Sequence, residues 1–247
     1  MHILVGLGNP GRQYEGHRHN VGFMALDLFA SRFGAPKWKE RAQAQVAEVR
    51  IDGEKVVLVK PQSFMNKSGQ PLRHVLDFWK LKADAVTVFY DELDLPPSKV
   101  RIKRGGGSGG HNGIKSLDAH IGQNYRRVRI GIGHPGHKDR VPAYVLHDFG
   151  KDDRRRIDTL LGAMADNLPR LLSGDESGFM SLSMQVLDDP ASGAKPANSG
   201  IGNGRGSGTN APVAAPTKVI GKGPPTALGA ALSRLLNRGK TSPDQDD

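Results

Sequence analysis

The chain offers nine histidines and no cysteine for side-chain chemistry. His19 has the most informative context. It follows a glycine-rich turn, Gly6-Leu7-Gly8-Asn9-Pro10-Gly11, and stands beside Asn20 just ahead of a helix-forming run. An imidazole titrates near neutral pH and serves as a general base when a carboxylate fixes its tautomer. Asp91 is the candidate carboxylate. It ends an apolar run in Tyr90-Asp91-Glu92-Leu93-Asp94-Leu95-Pro96, and open α/β sheets bind their ligands at the carboxyl ends of strands. The turn after the first strand can aim Asn9 into the same cleft.

Two further segments carry binding chemistry. Gly105-Gly106-Gly107-Ser108-Gly109-Gly110-His111-Asn112-Gly113 has glycine at six of nine positions, so its backbone can approach a ligand closely. The helix after it offers an anion its free N–H groups, but no G-K-[S/T] follows, so it is not a P-loop. Asn112 suits either the N-cap of that helix or a ligand-binding amide, with His111 beside it in the same binding set. Phe64-Met65-Asn66-Lys67-Ser68-Gly69 supplies an apolar wall, Phe64 and Met65, and the amide of Asn66. Basic residues recur around the glycine-rich loop: Arg101, Lys103, Arg104, Lys115, Arg126, Arg127 and Arg129. They are candidates for phosphate contact. Arg154-Arg155-Arg156 reads instead as a solvated helix face.

Several classes fall away. The literal G-x-G-x-x-G of Gly6 to Gly11 follows a strand, but a dinucleotide fold needs a helix to open at once and an acid about 20 residues on. Here Pro10 interrupts the loop, the helix starts only near Asn20, and Asp27 lies inside it. His17-x-His19 and His134-x-x-His137 lack a carboxylate pattern to complete a site, so neither metal nor cofactor is expected. Without cysteine there is no disulfide framework, thiolate metal site or cysteine nucleophile. Lys and Arg number 35 against 25 Asp and Glu, a net charge of +10, which points to an anionic partner, nucleic acid first. No apolar run approaches the roughly 18 residues of a membrane span, and the first residues do not read as a signal peptide. A soluble, cytoplasmic protein is expected.

The elements that must position these residues follow from periodicity. His2 to Leu7 reads as a buried strand. Residues 20–33 read as a helix with Val21, Met24, Leu28 and Phe29 on one side. Residues 43–51 and 55–59 form a hairpin about Asp52-Gly53. Helices are expected over 69–81, 112–121 and, as one long element, 152–172, with strands over 85–90, 99–103 and 128–132. Strands alternating with helices, plus one hairpin, predict a single α/β domain over residues 1–189, a twisted mixed β-sheet flanked by helices. Residues 190–247 hold 10 glycines and no Phe, Trp or Tyr and read as a disordered Gly/Pro/Ala-rich tail. Within it, 226–238 carries leucines at helical spacing, a candidate short helix.

Taken in order, these segments resemble the bacterial peptidyl-tRNA hydrolase family. The resemblance rests on G-L-G-N-P-G-x-x-Y (Gly6 to Tyr14), H-N-x-G (His19 to Gly22), K-P-x-x-F-M-N-x-S-G (Lys60 to Gly69), D-E-L-D-L-P (Asp91 to Pro96), G-G-x-G-G-H-N-G (Gly106 to Gly113) and R-I-G-I-G-H-P-G (Arg129 to Gly136). It implies a monomeric hydrolase that cleaves the ester between a peptide and the 3′-terminal adenosine of tRNA. In that reading His19 is the base, Asp91 holds it, and Asn9 tells peptidyl from free aminoacyl ends. Tyr14, Phe64, Met65, Asn66, His111 and Asn112 line the substrate site, and Lys103 and Arg129 clamp phosphate at the acceptor end. The competing expectation is a non-catalytic RNA-binding protein on the same scaffold.

Overall fold

Ile3, Leu4 and Val5 are all fully buried, as expected of a strand covered on both faces. In a computed structural model, which describes residues 1–35 and 37–187, this strand, β1 (His2–Gly6), lies at the centre of a seven-stranded mixed sheet. The other strands are β2 (Lys39–Arg41), β3 (Ala44–Ile51), β4 (Glu54–Pro61), β5 (Val86–Glu92), β6 (Val100–Arg104) and β7 (Arg126–Gly131), in the order β2-β3-β4-β1-β5-β7-β6. β1 runs parallel to β4 and β5, and β5 parallel to β7. The margins are antiparallel: β2 with β3, β3 with β4, and β6 with β7. The β3–β4 hairpin turns at Asp52 and Gly53, both at positive φ (48° and 82°), the backbone that a two-residue type I′ turn requires.

One face of the sheet packs against α1 (Val21–Arg32), α5 (Lys151–Asp166), α6 (Leu168–Ser173) and α7 (Glu176–Gln185), through side chains such as Leu4, Phe29, Phe89, Leu160 and Phe179. The other face packs against α2 (Gly69–Trp79) and α3 (Asn112–Ile121), through Val5, Val59, Leu72, Val88, Ile114 and Leu117. A five-residue helix, α4 (Val141–Val145), follows the loop after β7. Among the described residues no helix is long and apolar enough to cross a membrane.

A contact between two glycines seats the start of α1 at the end of β1. A Cβ on Gly22 would lie 2.3 Å from the Phe89 carbonyl oxygen, and one on Gly6 would lie 2.3 Å from the Gly22 carbonyl oxygen. No side chain fits between the helix and the sheet there. The 3₁₀ turn Arg18–Asn20, which leads into α1, is thereby held over the carboxyl ends of β1 and β5.

The elements differ from expectation at identifiable points. The long helix over 152–172 is two helices, α5 and α6, that part at Asn167. Pro169 stands in the first turn of α6 and has no N–H to continue the α5 ladder. α4, α7 and the three-residue β2 are additional. The buried stripe of α1 is Val21, Ala25, Leu26 and Phe29, with Met24 and Leu28 at its partly buried margin. β5 continues through Asp91 and Glu92 rather than stopping at Tyr90. After the glycine turn the chain makes only short 3₁₀ turns before Val21, so no helix N-terminus backs the G-x-G-x-x-G segment. The expected tail 190–247 and the helix over 226–238 lie outside the described residues.

Candidate active site

The Arg18–Asn20 turn and the end of β5 bring His19 and Asp91 together from 72 positions apart. His19 Nδ1 lies 2.9 Å from Asp91 Oδ1 and 2.8 Å from Oδ2. Asp91 is 3% exposed, so its charge is held out of water among donors. Burial by itself would raise the Asp91 pKa, but His19 and His111 together hold the carboxyl below its ordinary range. For His19, burial opposes protonation, yet the Asp91 charge and hydrogen bond outweigh it, and the imidazole is more basic than a free one. The Nδ1–H donates to Asp91, which leaves Nε2 as the free lone pair.

His111 is the second imidazole on the same carboxylate. Its Nε2 donates to Asp91 Oδ1 at 2.9 Å, while its Nδ1 accepts the backbone N–H groups of Gly113 and Ile114 at 3.1 and 3.2 Å. His111 is therefore the N-cap of α3, in place of the expected Asn112. Acceptance at Nδ1 requires a lone pair there, so the ring is the neutral Nε2–H tautomer. Asp91 receives N–H groups from two sides, and His111, expected only in the binding set, also reaches the carboxylate that pairs with His19.

Asn9 is oriented by three bonds. Its N–H donates to Asn20 Oδ1 (2.9 Å), its carbonyl accepts from Asn20 Nδ2 (2.9 Å), and its Oδ1 accepts the Met65 N–H (2.8 Å). The last bond assigns the amide flip and leaves the Nδ2 donors as what Asn9 can offer. Asn20, adjacent to His19, is a brace that no local sequence signal marks.

Asn9, His19, Asp91, His111 and Asn112 open on one cleft of about 670 Å³. Phe64, Met65 and Asn66 line it, as do Val141, Pro142, Val145 and Leu146 of the α4 segment. Glu92 and His134 also border it, neither anticipated from sequence because only the tertiary turn after β7 brings His134 round. Tyr14 lies outside the lining but sets its ring edgewise to Phe64, with centroids 6.4 Å apart. Phe64 is 59% exposed at the rim, a flat apolar face available to a base.

Lys103 and Arg129 lie beside the cleft, not in it. Strand register puts Arg101 opposite Arg129 and Lys103 opposite Arg127, so all four share one face of the sheet. Arg127 is fully buried, bonded to Asp118 (2.7 Å) and to the Gly107 carbonyl (3.0 Å), and thus tethers the glycine-rich loop. Arg129 donates to Glu92 at 2.8 Å. Arg101 is exposed and Lys103 half-buried, and Lys103 Nζ lies 3.6 Å from where a Cβ on Gly106 would stand, beside the glycine-rich loop that lines one end of the cleft.

The ligand atoms of His19, Asp91 and His111 lie within 4.8 Å of one another, near the spacing of a metal set. Each is already joined to its neighbour by an N–H···O bond, and both ring nitrogens that face Asp91 carry the hydrogens those bonds need. The arrangement fits a hydrogen-bonded triad with one free imidazole nitrogen. A base over a cleft with several amide donors can activate water against an acyl ester.

The family model described as peptidyl-tRNA hydrolase matches residues 3–189. A peptidyl-tRNA hydrolase from Chelativorans sp. is 54% identical over 241 residues, 96% of this chain and 98% of that protein. One from Ruegeria sp. is 52% identical over 200 residues, 81% of each chain. The crystal structure of peptidyl-tRNA hydrolase from Acinetobacter baumannii superposes with a TM-score of 0.70 at 35% identity, covering 74% of this chain and 94% of that one. Agreement in sequence and fold over nearly all the described residues leads to one assignment: the chain belongs to the peptidyl-tRNA hydrolase family.

Proposed function

We propose that the chain releases peptides from peptidyl-tRNA by water attack assisted by His19. The observation that carries this is the His19–Asp91 contact at 2.8 Å in the cleft. His19 Nε2 takes a proton from water as the oxygen attacks the ester carbonyl. Asp91 accepts the Nδ1–H and stabilises the imidazolium that forms. The tetrahedral oxyanion takes hydrogen bonds from the side-chain amides of Asn66 and Asn112, a class of donor whose loss costs on the order of 10²–10³ in rate. Collapse breaks the bond to the ribose oxygen, which recovers the proton from His19. The products are a free peptide carboxyl group and a tRNA 3′ end.

Asn9 Nδ2 serves as the donor to the acylated α-nitrogen region of the substrate, a neutral amide in peptidyl-tRNA and an ammonium in aminoacyl-tRNA; the bond from the Met65 N–H to Asn9 Oδ1 supports this reading. A donor there favours the neutral form over the cation. Tyr14 and Phe64 receive the nucleotide end, Met65 and His111 shape the wall beside it, and Lys103 and Arg129 meet acceptor-stem phosphates. A monomer suffices: large exposed apolar side chains among the described residues are Met1, Phe64, Phe78 and Leu146, and Phe64 and Leu146 border the cleft itself. A buried carboxylate that receives two imidazoles argues against a non-catalytic RNA binder, which has no use for a costly buried charge. The test is His19→Ala on a peptidyl-tRNA. Loss of about 10²–10⁴ in kcat is expected; hydrolysis at the parent rate overturns the reading.

A further inference from the structure

Arg18 immediately precedes the candidate base, yet its side chain meets not Asp91 but the end of the α4 segment. Its Nη1 lies within hydrogen-bond distance of three carbonyl oxygens: Tyr144 (3.3 Å), His147 (3.2 Å) and Asp148 (2.8 Å). Its guanidinium carbon stands 4.2 Å from the Tyr144 ring centroid and 5.5 Å from that of Phe149. The side chain is only 11% exposed. Its backbone N–H also donates to the His147 carbonyl at 3.0 Å, and the adjacent His17 pairs with Asp148 as an antiparallel bridge. Tyr144 belongs to the last turn of α4 and His147 and Asp148 follow its end, so the guanidinium meets carbonyls at and just past the C-terminus of that helix, where a cation is a favourable partner. Tyr144 is itself tied at its other end, since its hydroxyl donates to the Ile132 carbonyl at 2.6 Å.

The α4 segment so fastened supplies Val141, Pro142, Val145 and Leu146 to the cleft. We infer that Arg18 is a positioning residue that locks the apolar α4 wall to the turn bearing His19, so that the substrate-holding surface and the base keep one fixed separation. The inference rests on His19 acting as the base. Only arginine meets the need. Its flat cation lies on the Tyr144 ring while its edge serves several carbonyls, whereas an ammonium has no planar face to stack. Reacting groups held in near-attack geometry lose about 10²-fold when displaced by about 1 Å, so a loosened wall reads out in rate as well as in binding.

The experiment compares R18A and R18K with the parent by steady-state hydrolysis of a peptidyl-tRNA, together with amide hydrogen exchange over residues 141–149, well below the melting temperature. R18A is expected to raise KM, to lower kcat for a combined loss of about 10²-fold in kcat/KM, and to speed exchange in that segment. R18K is expected to recover only part of kcat. A residue that merely stabilises the fold would lower the melting temperature and leave kcat and KM in place. Parent-like kcat and KM in R18A overturn the inference. If R18A does not fold, R18K decides on the same readouts, with parent-like values again overturning it. His19→Ala in the same assay separates the two levels: if it is inactive while the Arg18 variants are parent-like, only the lock falls; if it is active, the reading beneath the lock falls.

Discussion

Asp91→Asn changes few atoms and removes one charge. In the parent, both carboxylate oxygens face N–H donors: Oδ1 lies 2.9 Å from His19 Nδ1 and 2.9 Å from His111 Nε2, and Oδ2 lies 2.8 Å from His19 Nδ1. An amide has only one acceptor to offer. If its oxygen stays with His111 at the Oδ1 position, its NH₂ takes the Oδ2 position 2.8 Å from His19 Nδ1, and the ring must give up that hydrogen to accept one. His19 then carries its proton on Nε2, the atom that has to accept one from water. The charge term can be sized separately. Opposite charges about 4 Å apart attract by roughly 4 kcal/mol at an effective dielectric of 20. Loss of that stabilisation for the imidazolium slows the chemistry by about 10³, at 1.36 kcal/mol per tenfold. The wrong tautomer takes the loss toward about 10⁴. Both His19 and Asp91 are buried, so solvent does little to screen the effect. The assay is single-turnover hydrolysis of an N-blocked aminoacyl-tRNA across pH. A loss of about 10³–10⁴ in kcat is expected, with the rising limb of the profile displaced to lower pH because the Asp91 charge no longer raises the basicity of His19. Asp91→Asn with kcat within about tenfold of the parent and an unmoved limb would refute the electrostatic role of Asp91.

Three other perturbations test separate parts. His111→Asn keeps a good N-cap for α3 but cannot donate to Asp91; with the carboxylate shared by one imidazole less, His19 becomes more basic and the rising limb of kcat/KM moves to higher pH, while an unmoved limb would separate His111 from the pair. The double variant Lys103→Ala/Arg129→Ala is expected to raise KM and to flatten the salt dependence of tRNA binding by about one to two units of slope, with kcat retained. Gly22→Ala would force a Cβ to 2.3 Å from the Phe89 carbonyl oxygen; a loss of about 1–3 kcal/mol of stability is expected from calorimetry or denaturant titration, and a parent-like midpoint would refute the close-contact role.

Stability should follow the same pair across pH. The His19 pKa is raised on folding, so its contribution is complete below its unfolded value near 6.5 and fades as pH rises through the folded value. The Asp91 pKa is depressed, so its contribution is complete above its unfolded value near 3.8 and is lost as pH falls through the folded value. The pair therefore stabilises the fold most between those limits.

What was legible in the sequence divides along physical lines. The β1 run, the Asp52-Gly53 turn and the α3 span were legible because burial on both faces, positive φ and helical spacing leave local signatures. His19 and Asp91 were legible as separate candidates, one beside a glycine turn and one at a strand end; their contact depends on the Gly6–Gly22 approach, which joins distant segments. The break at Asn167 turns on Pro169, a local signal that the surrounding amphipathic pattern masked. The capping by His111 was not legible. Asn112 is a better cap by propensity, and histidine takes the place only because Asp91, 20 positions earlier, holds its other nitrogen. The basic residues were legible as a group, but register places Arg127 and Arg129 on one face, and only their tertiary partners, Asp118 and Glu92, give them different surroundings.

The central claim is that Asp91 holds the His19 proton on Nδ1 and leaves Nε2 free to accept one from water. Nitrogen-15 NMR of the imidazoles, with His19 assigned by its absence in His19→Ala, reads this directly in the parent protein. The neutral ring is expected to be protonated on Nδ1 and to titrate above 6.5. A neutral ring protonated on Nε2, or a His19 that titrates below a free imidazole, would contradict that claim.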